Sequence, residues 1–119
     1  MDELERKAQL ALRMAQLAVR FLQRTKLEAA VLSDLIECEQ FGDLSVIDRL
    51  EHMSHKIHGS GTTFGFSAVS ESAGEIEHLI VGLKARDVSQ GAQISPPIMR
   101  RLRECARRLT QEVEAAAAR

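Results

Sequence analysis

Three histidines stand three residues apart at His52, His55 and His58, and Gly59 and Gly61 follow at once in the run MSHKIHGSGTTFGF that spans Met53–Phe66. An imidazole titrates near neutrality, so such a group can serve as nucleophile, acid–base group or metal ligand. Which of these it can be depends on where the ring points. The flanking residues have a helical period: Val46, Leu50, Met53 and Ile57 form one apolar stripe, continued by Phe64. At about 100° per residue His55 lies about 160° from the centre of that stripe, on the outer face. His52 also faces outward, and His58 flanks the stripe. Gly59 sits one turn beyond His55 on the same side.

A glycine inside a helix costs roughly 1 kcal/mol relative to alanine. A merely solvated histidine needs no such neighbour, and a core histidine would not be placed outside the stripe. The cost is explained if Gly59, Ser60 and Gly61 keep the surface low so that a second protein can reach the imidazole. The spacing therefore marks His55 as an exposed, approachable nucleophile or acceptor.

The elements that must hold it are helices. Only two prolines occur, Pro96 and Pro97, and five of the seven glycines lie between residues 59 and 82. From Asp2 to about Gln40, apolar residues recur at Leu10, Met14, Leu17 and Phe21, then at Val31, Leu35 and Cys38. The pattern slips near Arg24, and Thr25-Lys-Leu-Glu28 has the form of a capping box. This leaves either one long bent helix or, as the favoured reading, a short N-terminal helix, residues 1–24, followed by a second that opens the bundle core at residues 25–119. Gly42-Asp43 reads as a turn and Ser45 with Asp48 as a fresh helix start near Val46. Phe66, Val69, Ala73, Ile76, Ile80 and Leu83 follow with heptad spacing, the seam of an antiparallel bundle. Lys84–Ile94 reads as a polar connection, with Ser95 as N-cap and Pro96 in the first turn. Ile98, Leu102, Cys105, Leu109 and Val113 then line the last helix. The expected fold is all-α: an up-down-up-down antiparallel four-helix bundle with an N-terminal helical extension.

Composition agrees with one helical domain. The chain has 119 residues, 45% of them hydrophobic, with neither Trp nor Tyr and only four Phe. Sixteen basic and seventeen acidic residues leave a net charge of −1, which gives no general field for nucleic acid or an anionic membrane. Cys38 and Cys105 form no metal or redox pair and read as buried thiols in a reducing cytoplasm. No apolar run reaches a membrane span, and the charged Met1–Lys7 segment is no signal peptide.

With these residues in view, His55-Lys-Ile-His-Gly59-Ser60-Gly61-Thr-Thr-Phe64-Gly65 resembles the histidine-containing phosphotransfer (HPt) domain family. The similarity spans roughly Phe21 to Leu83, with Ile76-Glu77 resembling the end of the family's next conserved stretch. It implies that His55 accepts a phosphoryl group from an aspartyl phosphate of a response-regulator receiver domain and hands it to another. Sensor or hybrid histidine kinases and receivers would be the partners. The module would be a cytoplasmic monomer with no nucleotide site and no cofactor of its own, Mg²⁺ belonging to the receiver. It would be a phosphoryl carrier and not an enzyme in its own right. The resemblance assigns Ile57, Phe64 and Gly65 to motif packing. The family usually carries Lys or Arg three residues after the acceptor, whereas this chain has His58. Either His58 supports the phosphoryl oxygens or Lys56 reaches round to do so.

Three rival expectations follow from the same residues. His52, His55 and His58, or Glu75 with His78, have spacings that suggest a metal, but the first three fan over about 120° and His78 points about 200° from Ile76 on the seam. No metal is therefore expected. A histidine-kinase dimerisation domain also exposes an acceptor His, but it follows that residue with an acid and a proline, where this chain has Lys56 and no proline before Pro96. A non-catalytic helical scaffold would take no label from a phosphorylated receiver. Arg100, Arg101, Arg103, Arg107 and Arg108 read as a solvated face, and without aromatic platforms they do not suggest nucleic acid.

Overall fold

Caps and turn chemistry set the helix limits in the computed structural model, which describes residues 1–86 and 94–119. The helices are α1 Glu3–Glu37, α2 Leu44–Thr63, α3 Ser67–Ala85 and α4 Pro96–Ala117. Asp2 caps α1: its carboxylate accepts the Glu5 N–H at 2.7 Å, and Glu3 and Glu5 add negative charge where the helix dipole favours it.

The break expected near Arg24 does not occur. Thr25 caps nothing; it is buried, and its hydroxyl donates to the Phe21 carbonyl at 2.6 Å, one turn back in a continuous helix. With no glycine or proline in the segment, nothing interrupts the backbone ladder. The face that α1 buries also differs from the expected one. Phe21, Leu22, Thr25, Ala29, Leu32 and Ile36 are inside, whereas Val31, Leu35 and Cys38 lie on the flank, half-buried. Small residues at two of the contact positions, Thr25 and Ala29, disguise the true stripe.

Cys38–Asp43 turns the chain, with the Phe41 N–H donating to the Cys38 carbonyl and Gly42 at φ 111°. Asp43, not Ser45, stands at the N-cap of α2, its carbonyl accepting from the Val46 and Ile47 N–H groups. Ile47 is buried where the stripe had placed Val46, which is half-buried. α2 runs straight through Gly59 and Gly61. It ends in a Schellman turn: the Phe66 N–H donates to the Gly61 carbonyl at 2.8 Å and the Gly65 N–H to the Thr62 carbonyl at 3.1 Å. Gly65 makes this possible at φ 79°, a region that L-residues enter only at a cost. Phe64 and Phe66, on either side of it, lie against Phe21 with ring centroids 5.4 and 5.9 Å away, so the turn is fixed to α1.

The seam of α3 is as expected: Val69, Ala73, Ile76, Ile80 and Leu83 are buried, with Phe66 packed beside them. Lys84 and Ala85 still belong to α3, Arg86 caps its end and Ile94 packs against the core, while residues 87–93 of the expected polar connection lie outside the described residues. Ser95 is the N-cap of α4 through its backbone carbonyl, with Pro96 at the first position. Leu102, Cys105, Leu109 and Val113 complete the core.

Each helix packs on two neighbours: α1 on α2 and α4, α3 on α2 and α4. Residues equally far from the Gly65–Phe66 turn meet across α2 and α3: Asp48 with Lys84 at 2.7 Å, His55 with Glu77 at 2.6 Å, and Gly61 with Ser70. Opposed pairings recur between α1 and α2, where Phe21 meets Phe64 and Glu28 meets Lys56, as an up-down-up-down bundle requires. The molecule measures 61 × 24 × 18 Å because α1 outruns the bundle. Before Phe21 every α1 residue is exposed except half-buried Ala18.

The two kinds of glycine in α2 and its turn should respond oppositely to substitution. Gly65→Ala forces a β-carbon into the left-handed region and should lower stability by about 1–2 kcal/mol. At Gly59 a β-carbon meets nothing within 4 Å, so Gly59→Ala should raise stability by up to about 1 kcal/mol. Urea unfolding midpoints of the two variants check this; shifts of the same sign would contradict the geometry.

Candidate functional site

His55 projects from the middle of α2 with its side chain 72% exposed. The imidazole is not loose, because Nδ1 lies 2.6 Å from Glu77 Oε2 on α3, and that carboxylate is only 22% exposed. An ionised carboxylate can only accept, so Nδ1 carries the proton. The other ring nitrogen, Nε2, makes no hydrogen bond to the described residues. The arrangement is that of an oriented base or nucleophile, with a carboxylate to balance positive charge that develops on the ring.

Sequence periodicity singled out His55 but did not reveal Glu77 as its partner. Glu77 follows Ile76 of the seam, a position that reads as ordinary helix flank. The signal that would have found it is hairpin arithmetic, since the two residues stand at equal distance from the Gly65–Phe66 turn.

The remaining members of the motif divide into two groups. Gly59 is open, with empty space where a side chain would stand, and Ser60 beside it is half-buried. Gly61, expected on the same approachable surface, instead turns inward. A β-carbon there would lie 3.1–3.2 Å from Ser70 Cβ, Cα and N, so Gly61 brings α2 close to α3 and is no partner contact. Ile57 is buried in the core, while Phe64 and Gly65 form the turn already described.

His58 is tied to α3. Its Nδ1 donates to the Ser70 carbonyl at 2.8 Å, and its ring covers Gly74, where a β-carbon would collide with Nδ1 at 2.8 Å. Ser70 Oγ in turn donates to the His58 carbonyl at 2.7 Å and pairs with Thr62 Oγ1 at 2.7 Å. Lys56 does not turn toward His55; it points to α1, where Glu28 lies 3.8 Å from its ammonium. His52 is exposed.

On the α4 side of α3, His58, Glu71, Gly74, Glu75, His78 and Arg101 line an open groove of about 510 Å³. Among the described residues, no three His, Cys, Asp or Glu side chains gather as a metal ion would require. Glu75 is engaged elsewhere. It accepts from Arg101 at 2.7 Å, from Arg108 at 3.3 Å and from the buried Cys105 thiol at 3.2 Å. The arginines of α4, which read as a solvated face, thus partly serve as clamps to α3, and Arg103 does the same for α1 through Glu37 at 2.6 Å. The thiol bond chiefly, then Arg101 and Arg108 against some cost of burial, hold the Glu75 carboxyl below the ordinary carboxylate range. Burial, and then the hydrogen bond to that carboxylate, push the Cys105 thiol up to about 11.

Among protein families, a family model described as Hpt domain matches residues 16–118. No curated protein matches the chain, and no solved structure does. No helix among the described residues is long and apolar enough to cross a membrane.

Because the folded carboxyl of Glu75 sits below its ordinary value of 4.5, its stabilising effect is present above that pH and is lost as pH falls through the lower, folded value. Glu75→Gln should therefore be less stable than the parent at pH 7, and the gap should shrink as the pH is lowered from 7 to well below 4.5. Urea unfolding at the two pH values checks this; an undiminished gap in acid would contradict it.

Proposed function

Because the chain belongs to the Hpt domain family, whose members carry phosphoryl groups on histidine in phosphorelays, we propose that His55 is its phosphoacceptor. The single observation that carries this is the Glu77–His55 pair, an exposed imidazole whose inner nitrogen is held and whose outer nitrogen is free. The donor would be an aspartyl phosphate on a receiver domain, such as that of a hybrid histidine kinase. A second receiver, on a response regulator, would take the group away. The exchange would take place in the cytoplasm.

Electron flow follows from the ring. The Nε2 lone pair attacks phosphorus in line with the aspartyl oxygen; the N–P bond forms as the P–O bond to the aspartate breaks, and that carboxylate leaves with its electron pair. No proton has to leave the ring, because Nδ1–H stays paired with Glu77. The phosphorylated imidazole is then cationic, and the carboxylate at 2.6 Å offsets its charge. Return transfer reverses these steps on a second receiver. The HPt side thus supplies position and a counter-charge, and the Mg²⁺ that neutralises phosphoryl charge is expected on the receiver.

Gly59 fits the same picture. It is exposed, it sits one turn from His55, and the fold itself has no use for a glycine there. A receiver that presses its active-site loops against α2 needs that space. Lys56 is directed to Glu28, and the Nδ1 of His58 is committed to Ser70. His58 can offer an N–H to a phosphoryl oxygen only through Nε2, and only when the ring is protonated.

Incubation with a phosphorylated receiver should label the parent and leave His55→Gln unlabelled. Glu77→Ala should still accept label, but more slowly by on the order of ten-fold, because the ring is no longer oriented. Label on His55→Gln would refute the assignment. If His58 lends an N–H to the phosphoryl group, His58→Ala should slow transfer several-fold and His58→Lys should restore it. An unchanged rate in His58→Ala would remove His58 from the chemistry.

A further inference from the structure

Gly74 lies in the interior of α3, where glycine is the weakest helix former after proline. It does not serve close approach of two backbones, as Gly61 does. What lies over it is the imidazole of His58. A β-carbon on Gly74 would stand 2.8 Å from Nδ1, 2.9 Å from Cε1 and 3.5 Å from Cγ of that ring, so an alanine there must displace it. The ring thus rests by one edge on bare α3 backbone. The same edge is tied down, with Nδ1 donating to the Ser70 carbonyl at 2.8 Å and Ser70 Oγ 3.1 Å from it. Ser70 is itself buried and bonded back to the His58 carbonyl at 2.7 Å. Yet His58 remains exposed, and its Nε2 makes no hydrogen bond to the described residues. A ring so firmly seated but left at the surface adds little to the core.

We infer that Gly74 is a positioning residue for phosphoryl transfer: by leaving α3 bare, it lets His58 lie beside His55 and lend Nε2–H to the phosphoryl oxygens. The inference rests on His55 being the phosphoacceptor. Residues three apart on a helix have β-carbons about 5–6 Å from each other, a gap that a phosphoryl group on one ring can bridge to the other. His55 and His58 also occupy successive places in the pairing of α2 with α3, because Glu77 and Gly74, which face them, are three apart as well. Both imidazoles are exposed, and each has its Nδ1 held by an oxygen of α3. The oxygens differ in charge. The Glu77 carboxylate balances a cation on the ring it holds, whereas the Ser70 carbonyl is neutral and leaves the charge of a protonated His58 to act on an anion.

Nδ1–H is committed to Ser70, so a protonated His58 has one N–H left, on Nε2. That proton comes from solvent and stays on His58 throughout, since transfer moves the phosphoryl group alone. Of the other charged groups along the groove, Glu75 and Arg101 are paired with each other at 2.7 Å, and Glu71 and His78 are exposed. A lysine in place of His58 would need no such seat, because its thin, flexible stem can pass over a methyl group. An imidazole is short, flat and rigid. It can lie across α3 only where α3 carries no side chain, and Gly74 is that place.

Transfer rates from a phosphorylated receiver, measured with Gly74→Ala in three backgrounds, test this. In the parent the substitution should slow transfer several-fold, as His58→Ala does. In His58→Ala and in His58→Lys it should alter the rate by less than about two-fold. In His58→Ala it should also raise the urea midpoint, because alanine favours the helix once no ring is in the way. The Nδ1–H proton resonance of His58, identified by its absence from His58→Ala, should be protected in the parent and lost in Gly74→Ala. A Gly74→Ala protein as fast as the parent would overturn the proposal, as would equal slowing in all three backgrounds, the mark of a merely structural role. So would a slowed Gly74→Ala that keeps the Nδ1–H resonance. Label on His55→Gln would instead overturn the choice of acceptor, and the midpoint and the resonance would still report whether Gly74 seats His58.

Discussion

The antiparallel register of α2 and α3 governs everything else in this molecule. It is set at the Gly65–Phe66 turn, where a glycine at positive φ lets two backbone hydrogen bonds close the end of α2. From that point each residue of α2 is matched to one residue of α3, and the match cannot slip without tearing Phe64 and Phe66 from Phe21. His55 faces Glu77 for this reason, as His58 faces Gly74 and Asp48 faces Lys84. The chemistry of one imidazole is thus fixed by a turn ten residues away.

Close approach of the two helices has its own requirement. Gly61 admits Ser70 so closely that a β-carbon there would require Ser70 to give by a few tenths of an ångström, and Ser70 then satisfies itself on the backbone of α2 and on Thr62. The hydroxyls of Ser70 and Thr62 and the His58 imidazole form a polar rivet beside an otherwise apolar seam. No buried side-chain nitrogen or oxygen among the described residues is left without a partner. Gly59, two residues earlier, serves nothing inside the protein, and this contrast separates surface offered to a partner from surface spent on packing.

Electrostatics divides α3 into two faces. Glu77 serves α2 and the site, whereas Glu75 gathers Arg101, Arg108 and the Cys105 thiol and fastens α4. These ion pairs are largely exposed, so their worth lies in holding orientation more than in bulk stability. The core of Leu32, Leu50, Ile76, Ile80, Leu102 and Leu109 supplies the latter.

Helical period alone determined a great deal here: an all-helical chain, the seam of α3, the buried stripe of α4, and an outward His55 beside an open Gly59. These are local facts, because a side chain's direction on a helix depends only on counting residues. Three matters were beyond such counting. The unbroken course of α1 through Arg24 and its true buried face came from Thr25 and Ala29, small residues that enter the core only because neighbouring helices press on them. The inward turn of Gly61 came from the nearness of Ser70. The carboxylate that holds His55 came from a residue twenty-two positions on, with no local mark of its role. Direction on one helix is written in its own sequence, but which face meets which residue is decided only when a second helix is laid against it, and that is a property of the packed structure.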